Sequence, residues 1–412
     1  MAVIKKRENE PLDNKKARIQ LRMDQEEKNL FRDENTRRLR IEKRSKTLIV
    51  LAICLLLALV FSVLLSINIF VDNLSVALYF EVVIRKVQDL AGFASGSGAT
   101  NGIQFIIYRY LIIALVGAAL AASGAVYQGS FRNALASPTT LGVQSGGMLG
   151  GVLYIFLFTD SATFSVVKYQ DQKAIFDAMD IVQKNSQSLS ILAGCLISVF
   201  LTVAIARAAG RGKVSSLALI LTGAVFGSVI NGGVGLFQYY MLLTNPYDSR
   251  FEAMRVLMMG TFDNTFTLQH LILVGVPIGI CLIIITLLRP WLNVLVFGEE
   301  EARILGLRVG LFTNVMVGIC TVMVAVVISF CGQIGFVGFI IPHIARIVVG
   351  VDYRYLLPAS MLLGSIAMVV VYNVAASIGL ASNINVVTSM VGGSLFLIIV
   401  LKYRRNRNAD WA

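Results

Sequence analysis

Residues 332–350 read GQIGFVGFIIPHIARIVVG, an apolar run interrupted by glycines, a proline, a histidine and an arginine. A helix facing lipid does not carry this mixture. Polar groups are costly in hydrocarbon, and broken backbone survives there only where protein or a water-filled cavity surrounds it. The stretch therefore belongs inside a packed membrane bundle or beside a pathway. The rest of the chain agrees: of 412 residues, 56% are hydrophobic and 15% charged, against about 25% charged in soluble domains. The fold class is all-α and polytopic. About ten apolar runs approach the roughly 20 residues that cross a bilayer. They lie near 46–70, 105–127, 139–158, 187–208, 214–238, 266–288, 309–330, 334–350, 357–376 and 384–401.

Basic residues orient these spans. Arg132, Arg207, Arg211, Lys213, Arg289, Arg303, Arg308 and Arg354 fall in alternate connections, which places those loops and both termini in the cytoplasm. The opposite connection at 159–186 has Asp160, Asp171, Asp177 and Asp180 against three lysines, which suits an external face. The expected organisation is a charged cytoplasmic arm at 1–45, a transmembrane domain at 46–405 and a cytoplasmic tail at 406–412. The arm is too long for the n-region of a signal peptide, so the first apolar run reads as a retained span. Positive-inside bias accounts for much of the net charge of +12 and leaves no reason to invoke nucleic acid. The arm reads first as a solvated cytoplasmic segment with a helical stretch, and docking on anionic membrane lipid or on a partner subunit is the alternative.

Five cysteines lie in or beside apolar runs with no C-x-x-C spacing, and two histidines are too few for a metal cluster. No metal or cofactor site is expected in this chain. The glycines and lysine of Gly210–Val214 lack the spacing of a phosphate-binding P-loop, so ATP-driven work would need a separate ATPase carrying ATP and Mg. Small residues cluster at 117–125, 145–151 and 222–235. Pairs such as Ala121 with Ala125 and Gly223 with Gly227 let helix backbones approach closely. In the fifth span, Asn231 among glycines also suits the wall of a pathway. Glycine-interrupted segments follow both the second span, QGSFRNALASP, and the seventh, CGQIGFVGF, as inverted repeats would leave them.

Three motifs carry a resemblance to a known family: VGAALAASGAVYQGSFRNALASPTTLGVQSGG at 116–147, GEEEARILGLRVG at 298–310, and the 332–350 stretch with the following DYRYLLPAS at 352–360. Together they resemble the FecCD-type permeases of ABC importers for ferric siderophores, haem and vitamin B12. The resemblance implies a type II ABC importer permease architecture in the cytoplasmic (inner) membrane of a prokaryote. The implied partners are two copies of an ABC ATPase, an extracytoplasmic substrate-binding protein, and a second permease that makes a homodimer or a heterodimer.

The same resemblance assigns a cytoplasmic gate to Asn133 and Leu135, and to Ser215 and Ser216, which open the fifth span where the family has its other small polar gate residues. A loop asparagine satisfying its own backbone and a serine N-cap remain the alternatives. It assigns ATPase coupling to Glu299, Glu300, Glu301, Ala302, Leu305 and Gly306, where Ala302, Ile304 and Leu305 form an apolar patch beside the carboxylates. A solvated acidic turn is the alternative. Gly332, Gly335, Phe336, Gly338, Pro342, His343 and Arg346 form the signature, with Pro342 and His343 organising a break in the eighth span rather than ligating haem. Arg109 matches one of two arginines that receive carboxylates of the binding protein. Ile106 occupies the place of the other, and ASNIN at 381–385 replaces the usual E-L-P. The resemblance implies import of an iron chelate, a ferric siderophore or haem, with a vitamin B12 permease as the alternative within the family. An ion-coupled secondary carrier of a small solute is the competing class, disfavoured because the centres of the spans hold no Asp or Glu.

Overall fold

A computed structural model describes residues 41–63, 98–159, 181–209, 216–245, 247–262 and 266–405. The chain divides into two units, Met1–Val50 and Leu51–Ala412. Of the first, the described part is the opening of α1. The described residues are helical throughout, with no strand. The helices are α1 (Ile41–Val63), α2 (Gly98–Ser130), α3 (Val143–Phe158), α4 (Ile181–Ala209), α5 (Ser216–Thr244), α6 (Ser249–Met259), α7 (Leu268–Phe297), α8 (Glu299–Ile304), α9 (Val309–Cys331), α10 (Val337–Val349), α11 (Tyr353–Ser377) and α12 (Ile384–Arg405).

Within the described residues, each expected span falls largely on a helix. Among the described residues seven are long and apolar enough to cross a membrane, while α3, α10 and the Ile384–Phe396 part of α12 are shorter. The short ones follow from local chemistry. A turn occupies 131–142 before α3, and a non-helical segment at 332–336 separates α9 from α10. Sequence periodicity missed α6, because SRFEAMRVLMM is too short and too charged to register as a span. Ser215, the residues after 63 in the first span and the acidic connection around 160–180 lie outside the described residues.

Helix α2 is the centre of the second unit: 61% of its span is buried, against 17% for α7. It packs against α11, α9, α10 and α7, while α3 lies along α4. Small residues make these approaches possible. A Cβ on Gly117 would sit 2.3 Å from the Gly364 carbonyl oxygen, and one on Gly124 only 1.5 Å from that of Gly338. Ala121 and Ala125 are fully buried, and a Cβ on Gly223 would meet the backbone oxygen of Thr140 at 2.3 Å. With no hydrophobic driving force between helices in lipid, such contact supplies much of the cohesion. Of the cysteines, Cys195, Cys281, Cys320 and Cys331 are buried and Cys54 is exposed. His270 is not merely interfacial: its ring and Thr267 form a capping box at the start of α7.

Candidate functional site

Two groups of residues gather the sequence-predicted positions. The first is the interruption between α9 and α10. Gly332 ends α9 at φ 71°, and Phe336 opens α10 at φ 65°, a left-handed conformation uncommon for a bulky residue. The interruption leaves backbone groups without helical partners, and other segments satisfy them. Gln333 donates to the Leu257 carbonyl at 3.0 Å, and Thr261 to that of Cys331 at 2.8 Å. The side chain of Gln144, 2% exposed, donates to the Ile334 carbonyl at 2.6 Å. Asn385 accepts from the Gly335 amide at 3.0 Å and donates to the Met258 carbonyl at 3.2 Å. Ile384 completes the junction by donating to Gly260 at 3.0 Å.

This corrects the place of Pro342 and His343. They lie within α10, downstream of the interruption, so the glycines, Phe336 and the ties from α3, α6 and α12 organise it. Pro342 has no N–H to offer the carbonyl of Gly338 and its ring crowds that oxygen. The carbonyl lies in the space left by Gly124. His343 is half-buried beside the signature arginine. Gln144 and Asn385 were missed as functional positions. Their signal was legible: each is a primary amide next to an apolar span, able to donate and accept at once.

The second group lies where α2, α7, α10 and α11 meet. Arg346, in the last turn of α10, donates to Gln128 Oε1 at 2.9 Å, and Gln128 donates onward to the Phe339 carbonyl at 3.1 Å. A cation near the C-terminus of a helix also suits its dipole. Tyr353, 2% exposed, donates to the Ala125 carbonyl at 2.9 Å. The turn after α2 hangs from this cluster: Asn133 N–H donates to the Gln128 carbonyl at 3.0 Å, and Asn133 Oδ1 accepts from Leu135 N–H at 2.8 Å. Asn133 thus satisfies its own turn, and Leu135 is left 42% exposed. Ser216 begins α5.

The segment assigned to coupling is a short helix, α8, started by Gly298 at φ 151° and followed by Gly306 at φ 86°. Glu299, Glu300 and Glu301 are exposed in its first turn, where carboxylates suit the helix dipole. The Glu301 carboxylate lies over Gly298, since a Cβ there would fall 1.8 Å from its oxygen. Ala302 corrects the expected apolar patch. It is fully buried and its carbonyl accepts from Leu307, so it anchors α8, and the patch consists of Ile304 and Leu305, 84% and 63% exposed.

Arg109 is half-buried and donates to the Tyr372 hydroxyl at 2.9 Å, while Ile106 is buried. The ASNIN segment supplies Asn385 to the interruption. A further device was not foreseen: Asp248 caps α6 and pairs with Arg250 at 2.7 Å, and Arg250 donates to the Phe156 carbonyl at 3.1 Å across its ring. The guanidinium holds the Asp248 carboxyl below its ordinary value of 3.8. No group of three His, Cys, Asp or Glu side chains suited to a metal occurs among the described residues.

The profile of the FecCD transport family matches residues 55–402. The chain is 32% identical over 310 residues to the molybdate import system permease protein MolB of Haemophilus influenzae, covering 73% of this chain and 81% of that one. It is 34% identical over 294 residues to the cobalamin import system permease protein BtuC of Halobacterium salinarum, covering 71% of each. A solved structure described as an inward-facing metal-chelate type ABC transporter superposes with a TM-score of 0.64 at 28% identity, covering 87% of this chain and 99% of that one.

Proposed function

The chain belongs to the FecCD transport family, and on that premise we propose that it imports an iron chelate, a ferric siderophore or haem. It is a polytopic permease subunit of an ABC importer, and the ATPase of such importers is a separate subunit. The observation that carries the substrate reading is the outward face of α5. This helix contains no Asp, Glu, Lys or Arg, and Leu221, Val225, Val229, Asn231, Leu236, Tyr239 and Tyr240 stand exposed along it. A bare oxyanion such as molybdate asks for cations or convergent donors. A bulky chelate, whose charge is wrapped in organic ligand, asks for an apolar wall with a few neutral polar groups.

In this reading two permeases, this chain twice or with a paralogue, face each other across α5 in the inner membrane of a prokaryote. A binding protein delivers the chelate from outside. Two ATPase subunits holding ATP and Mg engage α8 through Ile304, Leu305 and the three glutamates, and the turn at Asn133 and Leu135 closes the inner end. The bond from Arg109 to Tyr372 leaves that arginine little freedom to receive a carboxylate, so docking falls to other outer residues.

Uptake into cells that express the importer with its own partners tests the substrate, using radiolabelled iron as haem or as a hydroxamate or catecholate chelate, with cobalamin and molybdate alongside. Iron uptake that depends on this chain is expected. Uptake of molybdate or cobalamin without iron overturns the reading, and undiminished uptake with an ATPase-dead partner overturns ATP coupling.

A further inference from the structure

Of the motif DYRYLLPAS at 352–360, Tyr353 already belongs to the cluster beneath the turn after α2, and with Asp352 it lies at the junction of three helices. Asn293 is on α7, one turn before α7 ends at Phe297 and the chain passes through Gly298 into α8. Both halves of its amide are engaged by the first turn of α11. Its Nδ2 donates to Asp352 Oδ1 at 2.9 Å, and its Oδ1 accepts from the Tyr353 amide at 2.8 Å. Asp352 Oδ1 also caps α11 by accepting from Arg354 N–H at 2.9 Å. From there the Tyr353 side chain runs to α2, where its hydroxyl meets the Ala125 carbonyl and lies so near Gly129 that a Cβ there would be 2.2 Å away. One turn further, Gln128 carries Asn133 and the 131–136 turn.

We propose that Asn293 is the positioning residue that ties the ATPase-coupling helix to the inner gate, through Asp352 and Tyr353 to the end of α2. The inference rests on the reading of α8 as the ATPase-engaging helix and of Leu135 as part of the gate. The physical argument is connectivity. A push on α8 reaches α7 through a single glycine. An asparagine that grips a helix N-terminus by two opposed bonds resists both sliding and rotation at that point, where one bond would resist only one. The end of α7 therefore cannot shift without carrying the start of α11, and Tyr353, enclosed at Gly129, passes the shift to the root of the gate turn. Spatial continuity alone does not establish coupling, so the test must read the gate and not the fold.

The complete importer is purified with its ATPase, Cys54 is replaced by serine, and Leu135→Cys reports the gate through its rate of reaction with a maleimide. The native tie is expected to give an ATP-dependent change in that rate of about tenfold, within the usual range of allosteric coupling. Asn293→Asp puts a carboxylate against Asp352 and is expected to abolish the change while ATP hydrolysis persists. The exchanged pair Asn293→Asp with Asp352→Asn restores one donor and one acceptor between the positions and should recover most of it. Tyr353→Phe, which removes only the hydroxyl, should weaken it. A full ATP-dependent change in both Asn293→Asp and Tyr353→Phe overturns the proposal, as does an exchanged pair that folds but stays uncoupled. Glu300→Ala with Ile304→Ala separates this from failure of the underlying reading. If the ATPase still co-purifies with that variant, α8 is not the docking helix. If it is lost while the Asn293 variants stay coupled, only the tie is wrong.

Discussion

The glycines of α2 and those in the second half of α5 look alike in sequence and do opposite things in the structure. On α2, Gly117 and Gly124 face the backbones of α11 and α10 so closely that a single carbon would collide with a carbonyl oxygen. On the second half of α5, Gly232, Gly233 and Gly235 have nothing within 4 Å of where a Cβ would stand. The first set brings helices together. The second keeps a surface shallow and open, on a helix with no charged side chain. A glycine-rich motif in a membrane protein is therefore two different devices, told apart by what lies opposite.

The sharpest way to break that contrast is Gly124→Val. With backbone 1.5 Å from the new Cβ, helix α10 must move, and overpacking of at least about 3 kcal/mol is expected. Loss of monodisperse permease in detergent would register it, and a normally folded variant would refute the close approach. Asn385→Leu comes next. It strands the Gly335 amide and the Met258 carbonyl, at about 2 kcal/mol or more for the pair. Thermal unfolding should fall by several degrees, while Asn385→Asp, which keeps the acceptor, should lose less.

Asp248→Asn addresses how the open helix is held at its far end. Loss of the charged bonds to Arg250 is expected to cost about 2 kcal/mol. Because the folded carboxyl titrates below its ordinary 3.8, the stabilisation is complete at neutral pH and persists down to that value. It disappears as pH falls further through the depressed one. The variant should lack that acid-dependent loss in a pH series of thermal unfolding. The smallest effect belongs to Gly233→Ala, which should leave stability unchanged or raise it by up to about 1 kcal/mol. A drop in stability there would mean the α5 face is packed after all.

Much of this was legible in the chain. Among the described residues, apolar length and the interruptions located the spans, since backbone in hydrocarbon must be helical or enclosed. The motif at 298–310 marked α8 correctly as a separate segment. Ala302 was misread because three-residue spacing cannot say which side of a one-turn helix faces inward. Pro342 attracted the interruption because proline is the familiar helix breaker, yet the stop comes from Gly332 and from partners far away in sequence. Gln144, Asn293 and Asn385 could be noticed as amides but not assigned, because each partner lies on another helix. Helix α6 escaped altogether: its stability comes from Asp248, Arg250 and the end of α3, and not from periodicity.

The interruption at 332–336 also bears on what the membrane must not lose. Backbone left unpaired inside a membrane protein would draw in water, and a file of water conducts protons. Gln144, Asn385 and the last turn of α6 occupy several of the donors and acceptors there that a water chain would otherwise bind. A non-helical segment held this way offers few open backbone groups to a file of water. Those few amides do the work that unbroken helix does elsewhere in the span.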